Sequence, residues 1–220
     1  MIQGLFQNNE IITVGADIST LVGELYPEEE SFIANAQHKR RREFTAGRLC
    51  AREALSHLGI NNFPILVGKN REPIWPPDII GSLSHCDDYC IAAVAKKGEI
   101  ISIGVDVESS RALDDEIIDI IATPREKEWL ATLADNQQRY WSKIVFSIKE
   151  SVYKCYFPLA GDFLEFHDVE VILNPESGTF LASIVNPSKK LQLTRLQGRF
   201  VTTNQHIFSA TTISCAEIEL

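Results

Sequence analysis

The sequence predicts an α+β protein of two similar halves, residues 1–100 and 101–220, and three observations carry that prediction. Segments 39–58 and 138–157 each place apolar side chains at helical spacing. Short runs with strand-like alternation accompany both, separated by turn residues, so an antiparallel sheet packed on a helix is expected. No low-complexity stretch or linker interrupts the chain, and the division between halves, near Gly98 to Ile101, therefore follows pattern rather than composition.

In order along the chain, a strand is expected near Glu10 to Ala16. A helix follows from Lys39 to Leu58, whose Phe44, Ala51, Leu55 and Leu58 suit a buried face and whose end is marked by Gly59. Strands are expected near Phe63 to Val67 and Tyr89 to Lys96, with Gly81 to Cys86 read as a loop between them. The second half opens on a strand from Ile101 to Glu108. Thr123 as N-cap, Pro124 at N1 and Glu126 at N3 form a capping box that starts a helix. A long helix from Gln138 to Phe157 comes next, stopped by Pro158. Strands near Val169 to Leu173, Phe180 to Val185, Leu191 to Leu196, Phe200 to Thr203 and Ile207 to Ile213 complete the half, with turns at Asn174 to Gly178 and at Gln197-Gly198.

A chain of 220 residues, 45% hydrophobic and 23% charged, is long enough to bury a substantial core. The opening Met1 to Phe6 lacks the basic start and apolar stretch of a secretion signal, and no run approaches the ~18 apolar residues of a membrane span, so a cytoplasmic protein is expected. Cys50, Cys86, Cys90, Cys155 and Cys215 are odd in number and show no paired spacing, which favours buried or idle thiols over zinc ligands or disulfides. The net charge of −9 counts against nonspecific binding to nucleic acid, which needs a surplus of Lys and Arg. Cationic residues are nonetheless concentrated at Lys39, Arg40, Arg41, Arg42, Arg48 and Arg52.

Chemistry concentrates in two polar clusters about 40 residues apart. In Gly104-Val105-Asp106-Val107-Glu108, apolar Ile103, Val105 and Val107 alternate with Gly104, Asp106 and Glu108, so a strand turns both carboxylates to one face. In Phe146 to Lys154, helical spacing puts Lys143, Ser147, Glu150 and Lys154 on one polar stripe. A strand with two carboxylates and a helix with a third can share one hard cation such as Mg²⁺. Each cluster alone is also what a half-exposed strand or a solvated helix looks like, and a third cluster, Gly81-Ser82-Leu83-Ser84-His85-Cys86, adds a Ser-His pair that is weak by itself.

Taken together and in this order, the three clusters resemble the Sfp-type 4′-phosphopantetheinyl transferases, with the greatest likeness to the enterobactin-synthetase component D branch. The pattern is Ser-His, then Gly-(Ile/Val)-Asp-(Ile/Val)-Glu, then Phe-Ser-x-Lys-Glu-(Ser/Ala)-x-x-Lys. It is met at Ser84-His85, Gly104 to Glu108 and Phe146 to Lys154. Lys39 to Arg48 and Arg71 to Pro76 are softer points of likeness, so the resemblance spans residues 38–158.

That resemblance implies the 4′-phosphopantetheinyl transferase fold, a monomer of two α+β halves related by a pseudo-twofold with coenzyme A in the cleft between them. It implies transfer of phosphopantetheine from coenzyme A to a serine of an apo acyl or peptidyl carrier protein, with release of 3′,5′-ADP. Asp106, Glu108 and Glu150 are then the ligands of Mg²⁺, with Mn²⁺ as the alternative. Glu150 doubles as the base for the entering serine, and Lys154 stabilises the leaving group. Ser84 and His85 contact the 3′-phosphate of coenzyme A. Arg41, Arg48 and Arg71 are further coenzyme A candidates beside Asp106 and Lys154, and Lys69 is a weaker one. The isoleucine-rich stretch Ser110 to Thr123 is a candidate carrier-docking wall, with Ile117, Ile118 and Ile121 divided between core and carrier. Siderophore, nonribosomal peptide and polyketide synthesis are the candidate pathways. Two other classes stay open on the residues alone: another Mg²⁺ phosphotransfer enzyme such as a nuclease, and a noncatalytic coenzyme A-binding scaffold.

Overall fold

The computed structural model describes residues 2 and 4–218. The first half runs β1 (Ile12–Asp17), the one-turn α1 (Pro27–Glu30), α2 (His38–His57), the two-residue strands β2 (Leu66–Val67) and β3 (Pro73–Ile74), and the hairpin β4 (Ile79–His85) and β5 (Tyr89–Lys96). The second runs β6 (Ile100–Ser109), α3 (Asp115–Ile121), α4 (Pro124–Leu130), α5 (Asp135–Ala160), β7 (Val169–Asn174), β8 (Thr179–Ile184), β9 (Leu196–Thr202) and β10 (His206–Ser214).

β5 is apolar from Cys90 to Ala95 because both its faces are covered. Cys90, Ala92 and Val94 meet Ala51, Ala54 and Leu55 of α2. Ile91, Ala93 and Ala95 meet Ile103, Val105 and Val107 of β6 with Phe208 and Ala210 of β10. The three-stranded antiparallel sheet β1-β5-β4 therefore lies face to face with the five-stranded antiparallel sheet β6-β10-β9-β8-β7. α2 backs the first, and α5 backs the second through Ile144, Ile148, Val152 and Cys155. Each large aliphatic side chain so enclosed contributes about 1.5–3 kcal/mol, so the four layers are held chiefly by apolar burial. Both halves share one connectivity: a strand, a long helix, and a later hairpin whose second strand pairs with the first strand, giving β1-β5-β4 and β6-β10-β9.

The capping box forms as expected, Thr123 Oγ1 accepting from the Glu126 backbone N–H and Glu126 accepting from the Thr123 N–H at 2.7 Å. Gly59 takes a positive φ of 80° after α2. Five expectations are corrected. α5 does not stop at Pro158 but runs to Ala160 and ends at Gly161, φ 58°, because a proline this near the end removes only one backbone bond while the Gly161 N–H still closes on Phe157 at 2.8 Å. Gln197-Gly198 is not a turn, and Leu191 to Leu196 is not a strand. β9 passes straight through Gly198, where a Cβ would overlap the Phe180 ring, so the glycine marks close approach inside a strand. The expected strand over Phe63 to Val67 shrinks to Leu66–Val67, paired with Pro73–Ile74. Ser84 and His85 sit on the last turn-ward residues of β4 rather than in a loop, paired with Ile91 and Cys90 of β5. Among the described residues no helix is long and apolar enough to cross a membrane.

Candidate active site

β6 and α5 touch where β6 has no side chain. A Cβ on Gly104 would overlap the Ser151 carbonyl oxygen and crowd Cys155, so glycine there lets the helix lie directly on the strand. Two buried serine contacts lock the same crossing: Ser147 Oγ and Ser209 Oγ are 2.9 Å apart, and Ser209 Oγ donates to the Ser147 carbonyl at 2.7 Å. The alternation of β6 then sends Asp106 and Glu108 toward α5 while Val105 and Val107 enter the core.

Asp106 is 2% exposed. Its Oδ1 accepts from Lys154 Nζ at 2.6 Å and from Ser84 Oγ at 2.8 Å, and Lys154 also donates to Ser84 at 2.9 Å. A residue from β4, one from β6 and one from α5 thus meet at a single oxygen, joining the two halves. Glu108, two residues on, is ion-paired with Lys143 of α5. Glu150 lies one turn before Lys154 with no ion-pair partner among the described residues. Burial raises the pKa values of Glu108 and Glu150 above the ordinary carboxylate value; Asp106 adds to both, while Lys154 opposes both and Lys143 opposes at Glu108.

The donor set suits a hard divalent cation. Asp106 Oδ2 is buried and has no hydrogen-bond partner among the described residues. A buried polar oxygen without a partner is costly, and a cation placed beside it would meet that cost. Together with Glu108 and Glu150 it offers oxygen ligands only, the preference of Mg²⁺ and Mn²⁺.

Lys149, beside Glu150 in sequence, has a different task. Its ammonium is buried and donates to Glu126 at 2.7 Å, to the Ile121 carbonyl at 2.7 Å and to the Phe166 carbonyl at 2.8 Å. Glu126 in turn accepts from the Thr123 and Val171 N–H groups, so this pair pins α5 to the end of α3, the start of α4 and the start of β7. Long-range pairing of this kind leaves no signal in the sequence, and neither does the Lys143–Glu108 pair.

On the other side of the cleft, His85 Nε2 lies 3.1 Å from an Arg40 amine and Nδ1 lies 3.9 Å from Glu43. Guanidinium only donates, so Nε2 accepts and Nδ1 carries the ring proton toward Glu43. Burial lowers the His85 pKa, with Arg40 and Lys154 in the same direction and Glu43 against it. Of the arginines singled out in the sequence, Arg41 turns to Glu30 at 2.7 Å, while Arg48 is buried, stacked over Phe44 at 3.9 Å and donating to the Ile65 carbonyl at 3.0 Å. Arg71, at φ 72°, sits between two cavities. One, of about 360 Å³, is lined by Arg40, Phe44, Arg48 and His85; the other, of about 350 Å³, by Trp75, Leu83, Tyr153, Lys154 and Phe157. Arg40 belongs to the cationic cluster within which the sequence did not single it out; helical spacing places it on the Phe44 and Gly47 side of α2, which is the signal that separates it from Arg41.

The two cavities beside the carboxylate cluster are lined by Arg40, Arg48, Arg71, His85 and Lys154, donors that suit a phosphorylated ligand. Residues 28–95 match the 4′-phosphopantetheinyl transferase N-terminal domain, and residues 102–210 match the 4′-phosphopantetheinyl transferase superfamily. The chain is 39% identical over 178 residues to 4′-phosphopantetheinyl transferase Svp of Streptomyces mobaraensis, covering 80% of this chain and 72% of that one. It is 36% identical over 181 residues to 4′-phosphopantetheinyl transferase PptT of Mycobacterium tuberculosis, covering 79% of each. With enterobactin synthase component D of Escherichia coli K12 it shares 35% identity over 124 residues, 56% of this chain and 57% of that one. The chain belongs to the 4′-phosphopantetheinyl transferase superfamily and is an enzyme of that class.

Proposed function

We propose that the protein moves the 4′-phosphopantetheine group of coenzyme A onto a serine of an apo acyl or peptidyl carrier protein and releases 3′,5′-ADP. The observation that carries this reading is the meeting of Ser84, Asp106 and Lys154 across the cleft, beside an unpartnered buried Asp106 oxygen.

Asp106, Glu108 and Glu150 would hold Mg²⁺ or Mn²⁺, and the bound ion would neutralise charge on the pyrophosphate. Lys154, already desolvated on one side, places its ammonium toward the leaving 3′,5′-ADP. Glu150, free of any ion pair among the described residues and with a raised pKa, takes the proton of the entering serine hydroxyl. Ser84 and His85, with Arg40 behind the ring, hold the 3′-phosphate, and Arg71 spans the passage between the two cavities. Arg41 and Arg48 contribute to the coenzyme A side by framing α2, since one is paired with Glu30 and the other is buried.

The halves 1–100 and 101–220 form the two walls, and their shared connectivity supports a pseudo-twofold between them. One chain supplies both walls, which supports action as a monomer. The five cysteines are free thiols, consistent with a reducing cytoplasm. Likeness to enterobactin synthase component D supports siderophore assembly as the pathway, with other nonribosomal peptide or polyketide carriers as the alternatives.

The test is the intact mass of an apo peptidyl carrier and of an apo acyl carrier after incubation with the protein, coenzyme A and Mg²⁺. Addition of one phosphopantetheine that requires the metal and is lost in Glu150→Gln is expected. No addition to either carrier, with coenzyme A still bound, would overturn the reading.

A further inference from the structure

We infer that Cys86, Asp88 and His206 form a second metal site, suited to Zn²⁺ rather than Mg²⁺, that clamps the two sheets together beside the catalytic cleft. The three side chains come from two places far apart in sequence: the turn between β4 and β5, and the first residue of β10. One ligand atom from each lies within 4.8 Å of the others. Cys86 Sγ is 3.4 Å from Asp88 Oδ1, and His206 Nε2 is 2.9 Å from the same oxygen. A tetrahedral zinc with the usual Zn–S, Zn–N and Zn–O lengths sets its ligand atoms about 3.3–3.6 Å apart. The two separations from Asp88 Oδ1 lie within about half an ångström of those values, and the thiol and imidazole are within 4.8 Å of each other.

Both loops that carry the ligands are rigidly built. The β4–β5 turn is closed by the Cys86 N–H on the Tyr89 carbonyl at 2.9 Å, and the Asp88 carbonyl accepts from the Ile18 N–H at 2.7 Å. The β9–β10 turn is closed by the Thr203 N–H on the His206 carbonyl at 2.8 Å, and His206 N–H donates to Thr203 Oγ1 at 2.9 Å. Ser110 fastens that turn to the end of β6 through the Gln205 and Asn204 carbonyls. The imidazole is held against the Tyr89 ring at 4.9 Å.

The chemistry of the set excludes two other uses. Asp88 Oδ1 stands between thiol and imidazole, so His206 is not placed as a base for Cys86. A thiol and an imidazole are poor ligands for Mg²⁺ and good ones for Zn²⁺ or Co²⁺, so this site and the all-oxygen site select different ions. The Asp88 side chain is 59% exposed, which leaves a coordination position open to water, while His206 is 10% exposed and anchors the group.

The position gives the site a consequence for the cleft. Cys86 directly follows His85, and His206 pairs with Ser109 of β6, next to Glu108. An ion bridging Cys86 and His206 fixes the separation of the His85 and Glu108 ends of the two sheets. Binding at this site releases the thiol proton to solvent as Cys86 becomes a thiolate ligand.

The test uses the full chain stripped with a chelator, in an Asp106→Ala background that disables the oxygen site, with Co²⁺ as probe. A thiolate-to-cobalt charge-transfer band that saturates at one Co²⁺ per chain, is displaced by Zn²⁺ and is absent in Cys86→Ser is expected. His206→Gln is expected to weaken Co²⁺ binding by more than about a hundredfold, beyond the loss caused by removing an outer-shell partner. Absence of the band at stoichiometric Co²⁺, or a band that persists in Cys86→Ser, overturns the inference.

Discussion

Gly104 of β6 lies directly beneath the Ser151 carbonyl of α5, with no room between them for a methyl group. That single close approach brings the helix carrying Glu150 and Lys154 onto the strand carrying Asp106 and Glu108.

Gly104→Ala should therefore damage both stability and catalysis. The obstacle is helix backbone rather than a flexible side chain, so the cost is expected at about 3 kcal/mol, the upper end for overpacking. Urea denaturation checks the first effect and carrier modification at low temperature the second; an alanine variant of normal stability would show that the layers are not in contact there.

Asp106→Asn keeps shape and removes charge. The remaining amide oxygen still accepts from Ser84, but Lys154 loses its anionic partner and an NH2 donor replaces one of the two carboxylate oxygens. A fall in kcat of about 10²–10³, the scale of one lost electrostatic stabiliser, is expected. Isothermal titration with Mn²⁺ should show weakened metal binding in the same variant, independently of turnover.

Lys149→Met should act on folding. Removing one partner of a buried ion pair costs about 3–5 kcal/mol, because the other charge is stranded. Glu126 keeps its Thr123 and Val171 donors but loses its cation. The denaturation midpoint should drop while kcat per folded molecule stays near normal; the opposite pattern would move this lysine into the chemistry.

His85 should make the protein acid-sensitive. Burial depresses its folded-state pKa below the ordinary 6.5. The unfolded chain thus binds the proton first, so the neutral imidazole contributes stability above about pH 6.5, and that contribution disappears as pH falls through the depressed value. The difference in stability between the wild type and His85→Gln should be level from pH 8 to about 6.5 and shrink below it. A difference that is flat down to pH 5 contradicts this.

α3 is the face on which carrier docking is predicted. Ile121 is buried at 1% exposure and Ile118 packs with it, whereas Ile117 and Ile120 are 37% and 63% exposed. Ile120→Asp should raise the KM for the carrier by about fivefold or more, the scale of one lost interface contact, and leave the KM for coenzyme A unchanged. A KM for the carrier that does not move removes this face from consideration.

How far the molecule was legible in its sequence depended on whether a feature was local. The Thr123 cap, the Tyr89 to Lys96 strand and the alternation of β6 are written within a few residues, and they stand where the pattern put them. β4 was unreadable because Gly81, Ser82 and Ser84 look like loop residues, yet Ser82 and Ser84 are satisfied from β6 by the Val105 N–H and Asp106. Gly198 misled for the same reason: its role is set by the Phe180 ring from another strand. At the site, strand and helix periodicity put Asp106 and Glu108 on the face of β6 that meets α5, and Lys154 on the side of α5 that meets Asp106. The pairing of Lys143 with Glu108, of Arg40 with His85 and of Lys149 with Glu126 is tertiary and had no local trace.

The enclosure of β5 on both faces bears on how the chain acquires its structure. Without residues 100–218, the Ile91, Ala93 and Ala95 face would be left in water, and without residues 2–99 the Ile103, Val105 and Val107 face would be. Each half covers an apolar face of the other, so a single cooperative unfolding transition is expected. A chain cut between Lys97 and Glu99 would regain its structure only when both fragments were mixed.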